Sequence, residues 1–169
     1  MRNSALFLVG VALLLSSCAK DECKDVICNN GGTCAEGTCA CPVEWQGSKC
    51  SDLNVMGVIT GGSFRKWKIA SLSDAATGSN IAISADNQAL RFTFKSDKSL
   101  IYATVDTVEN RKWELRGNNV WLIDPANPTE ALELRSYKWN NSQFSFRWEK
   151  ELLDIEGTGD VEIALTQTN

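Results

Sequence analysis

Six of the chain's seven cysteines lie between Cys23 and Cys50, and none follows Cys50. Thiols packed this densely have two ordinary uses, a disulfide framework or a metal site. Either use compensates for size, because a segment of about 30 residues cannot bury enough apolar surface to fold alone. A native bridge contributes roughly 2–4 kcal/mol by restricting the unfolded chain. Gly31, Gly32 and Gly37 supply turn conformations that a Cβ resists. Spacing by itself leaves about 15 pairings of six cysteines open.

The N-terminus decides between the two uses. Arg2 is followed by an apolar stretch from Ala5 to Leu15, interrupted by Gly10. The stretch is roughly half of the ~20 residues a membrane-spanning helix needs. Its length and flanks predict a signal peptide over residues 1–17. Leu15-Ser16-Ser17-Cys18 resembles the bacterial lipobox, which implies cleavage before Cys18, acylation of its sulfur and a membrane anchor. Several acyl chains hold a protein stably where one is marginal. Residues 18–22 are then a lipidated tether. Within it Lys20-Asp21-Glu22 resembles the surface-export signal of Bacteroidetes lipoproteins, implying an outer-membrane, cell-surface location. An exported chain meets an oxidising compartment, so the six remaining cysteines are expected in disulfides and not on zinc.

Cys23-x4-Cys28-x5-Cys34-x4-Cys39-x-Cys41-x8-Cys50 resembles an EGF-like module over residues 23–51. Asn29-Asn30-Gly31-Gly32-Thr33-Cys34, Cys39-Ala40-Cys41-Pro42 and Gly47-Ser48-Lys49-Cys50 are similar to the family's turn and C-terminal hairpin. Glu44 stands where the family usually has Gly before the aromatic, here Trp45. The resemblance implies the pairs Cys23–Cys34, Cys28–Cys39 and Cys41–Cys50. Calcium is not expected: it needs about six to eight oxygen ligands, and Asp21-Glu22 is only half of the acidic set that calcium-binding members carry.

Residues 52–62 read as a linker with Gly57, Gly61 and Gly62. Over 63–169 the pattern changes to period-2 alternation, as in Leu90-Arg91-Phe92-Thr93-Phe94, Phe144-Ser145-Phe146-Arg147-Trp148 and Val161-Glu162-Ile163-Ala164-Leu165. This is the half-buried strand signal. Eight or nine strands are predicted, near 63–72, 80–84, 89–95, 100–106, 111–117, 120–124, 131–139, 143–149 and 161–168. Short turn segments join them, and no long helical pattern intervenes, so sequential strands should pair as hairpins in an all-β antiparallel up-and-down barrel. The segment also resembles the lipocalin-like domains of Bacteroidetes lipoproteins. The resemblance lies in Arg65-Lys66-Trp67-Lys68-Ile69, Lys112-Trp113-Glu114-Leu115-Arg116-Gly117-Asn118 and the closing strand. Arg65 occupies the position of that family's Gly two residues before the tryptophan.

The charge balance, 17 Lys+Arg against 21 Asp+Glu for a net −4, excludes a basic nucleic-acid binder. The absence of histidine removes His-based catalysis and His metal sites. No carboxylate pair has a specific context, so no catalytic residue, metal or cofactor is assigned and an enzyme is not expected; a hydrolase working without His is the third choice. Asp154, Glu156 and Asp160 around Gly157 and Gly159 read as a solvated loop. Among the tryptophans, Trp121 and Trp139 are the ligand-binding candidates. Trp121 is out of phase with Val120 and Leu122, and Trp139 adjoins the Asn140-Asn141 turn. Asp106-Thr107-Val108 resembles a Bacteroidetes O-glycosylation signal, making Thr107 a candidate modification site. The expected function is that of an exported, lipid-anchored, non-catalytic binding protein. Its barrel would take an apolar ligand or a glycan; alternatively the barrel is a scaffold for cell-surface protein–protein contact.

Overall fold

The computed structural model of the chain describes residues 22–117, 119–129, 131–140 and 142–168. The expected signal peptide, Cys18, Lys20 and Asp21 lie outside the described residues. A small disulfide-rich region comes first and an eight-stranded antiparallel closed barrel follows.

In the first region Cys23 is bonded to Cys34, Cys28 to Cys39 and Cys41 to Cys50. These are the pairs the EGF-like resemblance implies. Strands β1 (Thr33–Ala35) and β2 (Thr38–Ala40) form a hairpin whose two-residue turn, Glu36-Gly37, has both φ values positive. That conformation matches the twist of the flanking strands. Gly32 packs tightly here: a Cβ would lie 2.6 Å from the Cys50 sulfur. A second pair, β3 (Trp45–Gln46) with β4 (Asp52–Leu53), brings the chain to the barrel.

The expected linker 52–62 is structured. After β4, Asn54 caps helix α1 (Val55–Thr60), its side chain accepting from Gly57 N–H, and Gly61 ends the helix in the left-handed region. Val58 and Ile59 are fully buried and close one end of the barrel, here the lower end. The wall is built from β5 (Phe64–Asp74), β7 (Arg91–Lys95), β8 (Ser99–Ala103), β9 (Val108–Arg116), β10 (Asn119–Ile123), β11 (Leu132–Trp139), β12 (Gln143–Glu149) and β13 (Asp160–Thr168). Each pairs with the next, and β13 pairs with β5 to close the ring. A two-residue strand, β6 (Asn80–Ile81), adds to the upper end of β5. The predicted strand 80–84 shrinks to this, because Ser84 caps a short helix, α2 (Ala85–Ala89), by accepting from Asn87 N–H.

Two bulges re-aim side chains. On β5 the ladder to β13 passes from Ser71–Ala164 to Ile69–Leu165, skipping Ala70, so Ile69 and Leu72 both face inward. On β11 the ladder to β12 jumps from Arg135–Arg147 to Lys138–Ser145, with Ser136 at φ 52°. An extra residue in one strand switches the face of everything beyond it, so Leu134 and Tyr137 both pack toward the core.

At the upper end a 3₁₀ turn, Lys150–Leu153, folds across the mouth. Leu153 is buried, and Asn87 on α2 donates to its carbonyl at 3.0 Å. The barrel therefore has a plug at each end.

Candidate functional site

The interior comes first, because an eight-stranded barrel has room either for its own side chains or for one small ligand. Here aromatic rings run through it in contact. Trp67 meets Phe144 at 6.1 Å between ring centroids, Phe144 meets Phe146 at 5.8 Å, and Phe146 meets Trp148 at 5.7 Å. Trp148 leads to Phe92 at 6.5 Å, Phe92 to Phe94, and Phe94 to Trp113 at 5.9 Å. Trp67, Phe92, Phe94, Trp113, Phe144 and Phe146 are essentially inaccessible to solvent. The polar tips of the two central tryptophans are satisfied within the fold: Trp67 Nε1 donates to the Ile59 carbonyl and Trp113 Nε1 to that of Lys95, each at 2.9 Å. This is a buried aromatic core.

The two tryptophans singled out in the sequence go different ways. Trp139 turns inward, edge-on to Trp67 at 6.3 Å, and belongs to the margin of the core. Its orientation follows from the Ser136 bulge, which sequence periodicity does not register. Trp121 stands on the outer face of β10, between the inward-facing Val120 and Leu122. The Arg116 guanidinium lies over its ring at 4.8 Å, a cation–π arrangement.

Trp121 adjoins a break in the wall. β11 pairs with β10 as far up as Leu132, but its topmost ladder partner on β12 is the Arg135–Arg147 pair. Above that pair lies a cleft of about 270 Å³, whose lining includes Trp121, Leu132, Glu133, Arg135, Trp148, Glu149 and Leu152. Arg135 is fixed by Asp160 at 2.8 Å and Glu149 at 3.5 Å. Trp148 is 5% exposed, and its buried Nε1 has no hydrogen-bond partner. An unmet buried donor ordinarily costs about 1–3 kcal/mol. The sequence marked Trp148 as core; its proximity to Trp121, Glu133 and Arg135 depends on the parting of β11 from β12, which leaves no local signal.

A second polar cluster ties the upper end together. Asp74 accepts from Lys150 Nζ at 2.6 Å and, through its other oxygen, from Thr77 N and Oγ1 and Ala76 N. The Lys150 bond, then the Thr77 bonds, hold the Asp74 carboxyl well below the usual carboxylate range. Burial pushes the Tyr102 and Tyr137 hydroxyls upward.

Of the remaining sequence candidates, Thr107 is exposed at the β8–β9 turn, 3.0 Å from the Thr104 hydroxyl. Asp154 and Glu156 are exposed, whereas Asp160 is committed to Arg135. Among the described residues no three acidic or cysteine side chains gather as a metal site.

The junction between the two regions was not anticipated. Arg65 Nη1 donates to the Val58 carbonyl at 2.6 Å and Nη2 to Glu44 at 2.9 Å. Asn54 donates to the Val43 carbonyl, and the Gly57 Cα packs directly against that carbonyl. Arg65 and Glu44, the two departures from the resembled families, thus meet each other. No protein-family model, curated protein or solved structure matches the chain.

Proposed function

We propose that the protein is an exported, lipid-anchored, non-catalytic binding protein whose barrel recognises its target from outside. The leader and the lipobox-like Leu15-Ser16-Ser17-Cys18 support export and anchoring at Cys18. The EGF-like and lipocalin-like resemblances support a disulfide-stapled base carrying a barrel at the cell surface. The observation that carries the outside reading is the aromatic core between two plugs, which leaves an apolar ligand no place in the interior. A second reading, contact with a partner protein through the Cys-rich base, draws on Ile27, which stands 72% exposed there.

Titration of the leaderless chain with cis-parinaric acid, a fluorescent fatty acid, tests the outside reading. No saturable quenching of tryptophan is expected, and one-to-one quenching would overturn it. Mass spectrometry of the membrane fraction tests the anchor. An acylated N-terminal Cys18 is expected, and an unmodified chain released to the medium would contradict it.

A further inference from the structure

We propose that the cleft between β11 and β12 is a saccharide subsite that takes one neutral sugar ring. The inference rests on the reading that recognition takes place outside the barrel, and it names the ligand class. The cleft volume of about 270 Å³ is at the small end of ligand pockets and suits a single ring better than a drug-sized molecule. Its polar groups are of both kinds. Glu133 and Glu149 only accept hydrogen bonds, while Arg135 and the Trp148 indole only donate. A ligand that meets all of them must donate and accept at neighbouring atoms, which is what vicinal hydroxyls do. The same set is mixed in sign: the Glu133 and Glu149 carboxylates stand with the Arg135 guanidinium in the cleft, and Arg116 lies over Trp121 beside it, so no ion of one sign meets a uniform field. Leu132, Leu152 and the Trp121 ring supply the apolar surface that the C–H face of a pyranose covers.

The unpartnered Trp148 Nε1 is the strongest pointer. Trp148 lines the cleft, and a ligand hydroxyl that accepts from its Nε1 satisfies one of the three buried donors, with Trp139 Nε1 and Arg147 Nε, that find no partner among the described residues. Arg135 is already held by Asp160, so that donor is in place before binding.

The test uses the intact protein in lipid nanodiscs with its tryptophan indoles labelled with ¹⁵N. The probes are glucose, galactose, mannose, N-acetylglucosamine and their short oligomers. At least one probe is expected to shift the Trp148 and Trp121 indole signals saturably, with Trp67 and Trp113 unmoved. Affinity for a monosaccharide should lie in the millimolar range. Trp148→Phe keeps an aromatic ring but deletes the donor, and should weaken binding about three- to tenfold. Glu133→Gln, on the open rim, should also weaken it. The Trp67 and Trp113 signals report in the same spectra whether each variant is folded. The proposal is overturned if no probe shifts Trp148 or Trp121, if all indoles shift together, or if both folded variants bind as well as the parent chain. A failure here with parinaric acid still excluded sinks the sugar site alone; uptake of parinaric acid sinks the outside reading beneath it.

Discussion

A Cβ at Gly57 would lie 1.7 Å from the Val43 carbonyl oxygen, so helix α1 reaches the Cys-rich region only because that residue has no side chain. Gly57→Ala must push the helix away from Val43 or out of the barrel end that Val58 and Ile59 fill. The expected loss is about 1–3 kcal/mol, read as a lowered midpoint in urea; an unchanged midpoint would mean that the two regions do not touch there. Trp121→Ala removes a ring on the outer wall and should leave the midpoint within about 0.5 kcal/mol of the parent chain. At this scale the sequence was legible where a residue acts through local pattern. The cysteine spacing carried the pairing by resemblance, and the phase of Trp121 set it apart from Val120 and Leu122, though Trp139 was an equal candidate for the outer face. It was not legible where a single backbone conformation decides: Ser136 in the left-handed region turns Trp139 inward, and any residue-by-residue alternation count misses it.

The elements divide in the same way. The long strands were visible because each repeats its apolar face several times, as in Phe144, Phe146 and Trp148. The closures α1, α2 and the 3₁₀ turn have one or two helical turns each, too few to show a 3.6-residue period. The two helices hold by side-chain caps, and α2 and the 3₁₀ turn are tied by a contact distant in sequence, the bond from Asn87 to the Leu153 carbonyl. The Asp74–Lys150 pair works at this scale, joining the end of β5 to the 3₁₀ turn. Because the folded carboxyl is depressed, its contribution is present above the ordinary carboxylate range and is lost as pH falls through the folded value. Melting temperature should therefore fall between about pH 5 and pH 2 in the parent chain and fall less steeply in Lys150→Met. Parallel acid limbs for the two proteins would contradict this. Tyr102 and Tyr137 act in the opposite direction. Burial favours their neutral forms, so stability present below about pH 10 is lost as pH rises beyond it.

Over the whole molecule, all six bridging cysteines precede the barrel strands, yet the boundary between the regions is not where composition changes. Composition places the linker at 52–62, whereas Asn54 to Thr60 cap and form the helix that completes the barrel. A fragment of residues 54–169 should fold cooperatively without disulfides. One of 60–169 lacks Val58 and Ile59 and the carbonyl that Trp67 Nε1 requires, and should be molten. Reduction of the intact chain should unfold the Cys-rich base while the near-UV signal of the barrel tryptophans persists, since that core owes its burial to apolar contacts at roughly 1.5–3 kcal/mol per large side chain. Collapse of that signal on reduction would make the base a structural part of the barrel.

The barrel interior is a packed core with no room for a guest, and hydrogen exchange of the indole N–H groups tests this at the rings themselves. Trp67 and Trp113 donate to backbone carbonyls inside the barrel, and Trp121 stands on its outer wall. In deuterated buffer the Trp121 signal should vanish at once, while those of Trp67 and Trp113 should decay only as fast as global unfolding allows. Loss of the Trp67 and Trp113 signals on the time course of Trp121 would show an interior open to water and not a packed core.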